Sequence, residues 1–115
     1  MSKSVKDSKI LLGHVLESIE AIFTYTKGMT KAKFLKASKT QDAVIRRLTI
    51  IGEATNGIPD SFLDAAPEIP RRQIVGMRNM LIHEYLGVDM VLVWDTIKKD
   101  LPVLKRNILS LLAKN

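Results

Sequence analysis

Apolar side chains recur every three or four positions along this chain, and strict two-residue alternation is nowhere sustained. That period belongs to helices with one buried face. Ile10, Leu11, His14, Val15, Leu16, Ile19, Ile22 and Phe23 follow it and predict a helix from about Lys6 to Lys27, with Gly28 as the stop. A short segment at Thr30–Lys36 is expected to turn Phe34 and Leu35 inward. A second long helix is predicted from near Thr40, carrying Val44, Ile45, Leu48, Ile51 and Ala54 and ending at Asn56-Gly57. Pro59, Pro67 and Pro70 punctuate the loop that follows, with room for a short turn at Ser61–Ala66. Helical spacing returns over Arg71–Ile82 through Ile74, Val75, Met77, Met80 and Leu81, and Gly87 is the first good stop beyond it. Val88–Lys99 would direct Met90, Val91, Val93, Trp94 and Ile97 inward. Asp100-Leu101-Pro102 reads as a boundary, with Asp100 as cap and Pro102 in the first turn of a last helix. That helix carries Val103, Leu104, Ile108, Leu111 and Leu112.

The predicted fold is therefore all-α, an antiparallel four-helix bundle with additional short helices. The 115 residues suit a single domain spanning 1–115, and 46% hydrophobic residues suffice for a core. Only six residues are aromatic, so that core must be built mainly from Leu, Ile, Val and Met. No apolar run approaches the roughly 20 residues that cross a bilayer, and the opening MSKSVKDSK lacks the apolar block of a signal peptide. The absence of cysteine excludes disulfides and thiol catalysis and fits a reducing, cytoplasmic setting. His14 and His83 are the two histidines, too few good ligands for a zinc site. A formal charge of +6 favours a polyanionic partner, RNA or DNA first.

One stretch departs from the clean division of apolar and polar faces. MRNMLIHEYLGVD, residues 77–89, sets Arg78, Asn79, His83, Glu84 and Tyr85 within an apolar segment. At 100° per residue Tyr85 returns to within about 20° of Arg78, whereas His83 lies about 140° away. Two arrangements could bring imidazole and guanidinium to one target. The helix could end near Ile82 and let His83 swing round, or two copies of the chain could face each other across a cleft. The chemistry of the set is specific: histidine passes protons near neutral pH, and arginine stays charged and clamps phosphate through parallel hydrogen bonds. Asn79 can orient an imidazole or a ribose hydroxyl without adding charge. Together they suffice for metal-independent RNA cleavage, in which a 2′-hydroxyl attacks its neighbouring phosphate. The plain structural alternative is that Arg78 pairs with Glu53 or Glu84 and His83 closes a helix end.

RNMLIHEY, an R-x(4)-H-x-Y pattern, resembles the signature of HEPN-domain proteins, specifically the HepT-like toxins. DAVIRRLTIIGEATNGIP (42–59) and PEIPRRQIVGMRNMLIHEYLGVDMVLVWDTIKKDLPVLK (67–105) are similar to two long blocks of that family, in the same order. The resemblance implies a helical bundle that forms a homodimer, with the motif of each subunit beside a shared cleft. It also implies a metal-independent ribonuclease toxin of a type II/VII toxin–antitoxin system, needing no cofactor, paired with a small MNT-type nucleotidyltransferase antitoxin. Carried onto this chain, Arg78 and His83 would be catalytic, Asn79 would be the supporting polar residue, and Tyr85 would be the acceptor of AMP added by the antitoxin. A non-catalytic module that binds a nucleotide or a nucleotidyltransferase is the rival reading, and a purely structural helical dimer the third.

Other positions are candidates of lower specificity. The pairs Arg46, Arg47 and Arg71, Arg72 could guide RNA backbone, or form a solvated face. Glu53, on an otherwise apolar face, is expected to be a structural partner of Arg78 or of an opposing arginine. The smooth face Leu48, Ile51, Gly52, Thr55 suits close helix contact, in a dimer or within one chain. His14 is expected at the core or its boundary, and Trp94 and the methionines within the core.

Overall fold

The computed structural model describes residues 4–115, apart from the Tyr85 side chain. Seven α-helices make up the described chain: α1 (Val5–Thr26), α2 (Lys31–Phe34), α3 (Ser38–Asn56), α4 (Asp60–Leu63), α5 (Arg71–His83), α6 (Met90–Asp95) and α7 (Leu101–Lys114). A 3-10 turn at Tyr85–Gly87 and a π-turn at Thr96–Asp100 complete them, and there is no strand among the described residues. The all-α expectation is met.

Local chemistry sets the helix ends. Ser4 and Asp7 form a reciprocal capping box at the start of α1, with Asp7 N–H donating to Ser4 Oγ at 3.1 Å and Ser4 N–H to Asp7 Oδ2 at 3.3 Å. Gly28, at φ +75°, takes the left-handed turn after α1 that a residue with a Cβ resists. Thr30 caps α2 through Lys33 N–H, and Asp89 caps α6 through Val91 N–H.

The helices stack in the order α5, α3, α1, α7, with α2 wedged between α3 and α6. Their shared core holds Leu12, Val15, Ile19 and Ile22 of α1, Val44, Leu48 and Ile51 of α3, and Leu101, Leu104, Ile108 and Leu111 of α7. Phe34 is fully buried and stacks at 5.2 Å, tilted by 34°, on Trp94. Because α5 leans on α3, an apolar groove of about 370 Å³ stays open between it and α7, lined by Leu48, Ile51, Ile74, Met77, Leu101 and Leu104.

The expected boundary at Asp100-Leu101-Pro102 does not exist. Helical structure runs without interruption from Met90 to Lys114, widened by the π-turn, in which Leu101 N–H donates to Thr96 O. Proline in a regular helix interior loses a hydrogen bond and collides with the carbonyl four residues back. A widened turn relieves that collision, so Pro102 sits in a continuous helix rather than opening a new one. Asp100 accordingly has helical dihedrals and makes no side-chain cap. The buried line Val93, Ile97, Leu101 advances by four residues twice, more than the 3.6 of a regular turn, and the π-turn supplies the excess.

Several inward assignments are also corrected. Ile10 and His14 each lie two residues from Leu12, about 200° round the helix, and both are exposed. Leu35 falls past the last residue of α2 and is exposed, and Val91 and Val103 lie off the buried line of their helices. Trp94 is buried, while Met29, Met77, Met80 and Met90 pack half-buried against the core.

Phe34 is the single large side chain that anchors α2. Phe34→Ala is expected to lower stability by about 3–5 kcal/mol, measured by chemical denaturation.

Candidate active site

Gly52 determines how α3 and α5 meet. A Cβ built on it would lie 2.2 Å from Arg78 Cβ, 2.8 Å from Arg78 Cγ and 3.4 Å from the Ile74 carbonyl oxygen. Only a residue without a side chain lets the stem of Arg78 lie this close to the α3 backbone. Leu48, Ile51, Gly52 and Thr55 are all buried within the one subunit, so this face makes an intrachain contact.

The approach fixes the guanidinium. Arg78 is 20% exposed, and its Nε is shut off from solvent with no hydrogen-bond partner. Glu53 Oε1 stands 3.7 Å from that Nε, within ion-pair range but beyond a hydrogen bond. Glu53 is 57% exposed, so solvent screens the pair and its contribution is modest. Asn79 Oδ1 accepts from Arg78 Nη1 at 2.7 Å. Of the alternatives open in the sequence, then, Glu53 is the acid that meets Arg78, and Asn79 orients the guanidinium. A buried donor left unpaired costs about 1–3 kcal/mol and calls for an explanation.

His83 lies one turn beyond Asn79 on the same helix and makes no side-chain hydrogen bond among the described residues. It is the last residue of α5 and is exposed, and the backbone changes direction only at Glu84, with φ −125° and ψ 31°. The helix ends near Ile82, one residue later, so His83 itself is still helical and the change of direction follows it. The Arg78 and His83 side chains leave one continuous helix about 140° apart. The chain neighbours of His83 mix exposed apolar and polar side chains: Ile82 is 42% and Leu86 89% exposed, and Asn79 and Glu84 are exposed too. The groove between α5 and α7 includes neither Arg78 nor His83. Tyr85, the last residue of the motif, opens the 3-10 turn that follows α5, and its side chain is outside the described part of the structure.

The arginine pairs separate. Arg71 is occupied: Nη2 donates to Asn56 O at 3.0 Å, Nη1 donates to Ile58 O, and Nη1 lies 3.3 Å from Asp60 Oδ1. It closes the carbonyl end of α3 and pins the loop before α5, which removes it from the RNA-guiding set. Arg47 Nε donates to Tyr25 Oη at 3.4 Å, while Arg46 and Arg72 are exposed. No group of acids and histidines suited to a metal ion occurs among the described residues.

Gly52→Ala is expected to destabilise the protein by about 1–3 kcal/mol, because the displaced atoms are close to backbone and cannot swing away. Gly13→Ala, where nothing lies within 4 Å of the new methyl, is expected instead to stabilise by up to about 1 kcal/mol. Thermal or denaturant unfolding of the two variants distinguishes them.

With this geometry in place, the comparisons are specific. A family model described as Ribonuclease HepT-like matches residues 15–111. A "Gamma-glutamylcyclotransferase and putative RNase" of Methanocaldococcus jannaschii is 48% identical over 109 residues, covering 95% of this chain and 49% of that protein. The chain thus spans about half the length of that relative. A "Probable ribonuclease HepT" of Thermococcus cleftensis is 47% identical over 105 residues, covering 91% of this chain and 93% of that one. A "Putative RNase" of Caldanaerobacter subterraneus subsp. tengcongensis is 36% identical over 110 residues, with 96% and 98% covered. No solved structure matches the chain. A family match across residues 15–111, joined to relatives of this identity and coverage, means that the chain belongs to the HepT-like ribonuclease family.

Proposed function

We propose that this protein is a metal-independent endoribonuclease whose site is completed when two copies of the chain face each other. The observation that supports it best is the division of the motif within one chain. Arg78 is anchored against α3 while His83 stands exposed at the end of α5, leaving the helix about 140° away and flanked in sequence by the exposed Ile82 and Leu86. A two-fold pairing at this end of α5 would cover Ile82 and Leu86 and set two imidazoles and two guanidiniums along one groove.

The chemistry follows from those side chains. The 2′-oxygen of a ribose attacks the adjacent phosphorus, and His83 exchanges the protons that the hydroxyl loses and the leaving oxygen gains. The new 2′-O–P bond forms as the P–O5′ bond breaks, leaving a 2′,3′-cyclic phosphate and a 5′-hydroxyl. Arg78, held by Asn79 and faced by Glu53, lies against the phosphate and stabilises the charge that develops there. The Arg78 side chain is positioned before substrate arrives, so little reorganisation remains for the transition state. Arg46, Arg47 and Arg72 are left to attract RNA backbone.

Under the same reading the protein is the toxin of a toxin–antitoxin pair. Tyr85, two residues beyond His83, is then the acceptor of AMP from an MNT-type nucleotidyltransferase antitoxin. Adding AMP there places bulk and negative charge beside the imidazole and repels an RNA phosphate.

Expressed without a partner, the protein is expected to cleave RNA in the presence of a chelator and leave 2′,3′-cyclic phosphate ends. His83→Ala should slow cleavage at least 10²-fold. His83 is exposed, so the variant should keep its fold; activity equal to the parent's rejects the mechanism, and RNA binding without cleavage by the parent points to the non-catalytic module. Leu86→Glu should shift sedimentation from dimer to monomer and reduce cleavage in parallel. An active monomer rules out the shared site.

A further inference from the structure

The arginine pairs drew attention in the sequence, but the charge of the folded chain is concentrated elsewhere. Between Glu20 and Asp42 there are five lysines and no acidic residue: Lys27, Lys31, Lys33, Lys36 and Lys39. These five account for most of the net +6, leaving 13 basic side chains against 12 acidic ones over the rest of the chain. All five are exposed, and none forms an ion pair among the described residues. Glu20, the nearest acid before them, is taken by Lys105 of α7.

The fold holds this segment in place. Gly28 turns the chain out of α1, Thr30 caps α2, and buried Phe34 pins α2 to Trp94. Gln41 Nε2 donates to Phe34 O at 2.9 Å and ties the end of α2 to α3. Lys98 of the π-turn adds a sixth cation, its Nζ 4.7 Å from the centre of the Trp94 ring. Trp94 belongs to α6, the helix that follows the R-x(4)-H-x-Y motif. Tyr25, 37% exposed and bonded to Arg47, borders the patch with an aromatic face.

A solvated helix face ordinarily mixes the two signs. Here five exposed like charges lie close together in the chain with no ion pair among the described residues to neutralise them, which raises the local potential and attracts polyanions. A single-stranded polynucleotide fits both features, because its phosphates meet the lysines and a base can stack on an exposed ring. We propose that the α2 lysine patch is a second RNA-binding surface, holding the substrate strand outside the catalytic groove, so that the preferred substrates are RNAs long enough to reach it. The proposal rests on the ribonuclease reading for its substrate, but binding can be tested without catalysis.

The test uses the full chain carrying Lys31→Glu, Lys33→Glu and Lys36→Glu together, with circular dichroism and thermal unfolding to confirm the fold. Binding of a labelled 20-nucleotide RNA is expected to weaken at least tenfold. The slope of log affinity against log salt should shrink by about 2, from roughly 0.7 per lost phosphate contact. Cleavage of a 20-mer should fall at least tenfold more than cleavage of a dinucleotide. Unchanged RNA affinity and salt slope overturn the proposal. Equal losses on the dinucleotide and the 20-mer also overturn it, since the lysines would then act at the groove or on the fold. Tighter binding of the parent to vesicles containing phosphatidylglycerol than to RNA assigns the patch to a membrane surface instead. If the parent binds the 20-mer through the lysines but cleaves nothing, the ribonuclease mechanism fails and the patch stands.

Discussion

Everything distinctive about the site depends on one close approach, that of the Arg78 stem to the backbone of Gly52. Helix pairs usually keep their axes 8–10 Å apart because side chains fill the space between them. Removing one side chain at position 52 lets an arginine occupy the space that a core residue would take. Burial of its Nε costs free energy, and the adjacent carboxylate of Glu53 offsets only part of it through solvent. The α3–α5 contact therefore holds a charged group in a position that core packing alone would not choose. A stability cost without structural return is what a preorganised functional group looks like.

Under the proposed function, the same contact would leave one chain with half of the reaction centre. Once Arg78 is committed to the α3 side of α5, a helix that continues through His83 must present the imidazole on a different face. Breaking α5 earlier would free His83 but would also loosen the last turn that packs Leu81, its one fully buried residue. Four of the exposed large apolar side chains, Ile82, Leu86, Val91 and Leu92, lie between the end of α5 and the start of α6, and Leu86 is the most exposed of all. The proposal of a groove shared by two subunits has Ile82 and Leu86, beside His83 in the chain, as the apolar side chains a second copy would cover.

Most of the fold was legible in the chain, because helix periodicity, glycine stops and capping residues act locally. Ser4, Gly28, Thr30 and Asp89 needed no tertiary information to do what they do. What escaped the sequence depended on context. Pro102 read as a boundary because the π-turn that absorbs it is a property of the whole α6–α7 stretch; the repeated four-residue spacing of Val93, Ile97 and Leu101 was the available sign. Ile10 and His14 were placed inward by counting apolar neighbours rather than angle from Leu12. At the site, the residue types Arg78, Asn79 and His83 were visible in the motif, as was the pairing choice between Glu53 and Glu84. The role of Gly52 was not, because a glycine within a helix has several readings until its neighbour across the interface is known. Arg71 was misplaced for a similar reason: its partners are two carbonyls and Asp60, and backbone carbonyls leave no trace in a sequence.

The distribution of charge reflects the same division of labour. A groove that cuts RNA must not hold its product too firmly, since slow product release then limits turnover. Arg78 is a single, partly buried cation per chain, suited to a charge that appears only in the transition state. Affinity for a long strand is better supplied by exposed lysines, whose contacts with phosphate are individually weak, exchange rapidly and add along the backbone. Under the two proposals, their position on α2, pinned through Phe34 and Trp94 to the helix after the motif, would separate holding from cutting while keeping both on one frame. In that arrangement Trp94, although it touches no substrate, is the side chain through which the two surfaces share a fixed geometry.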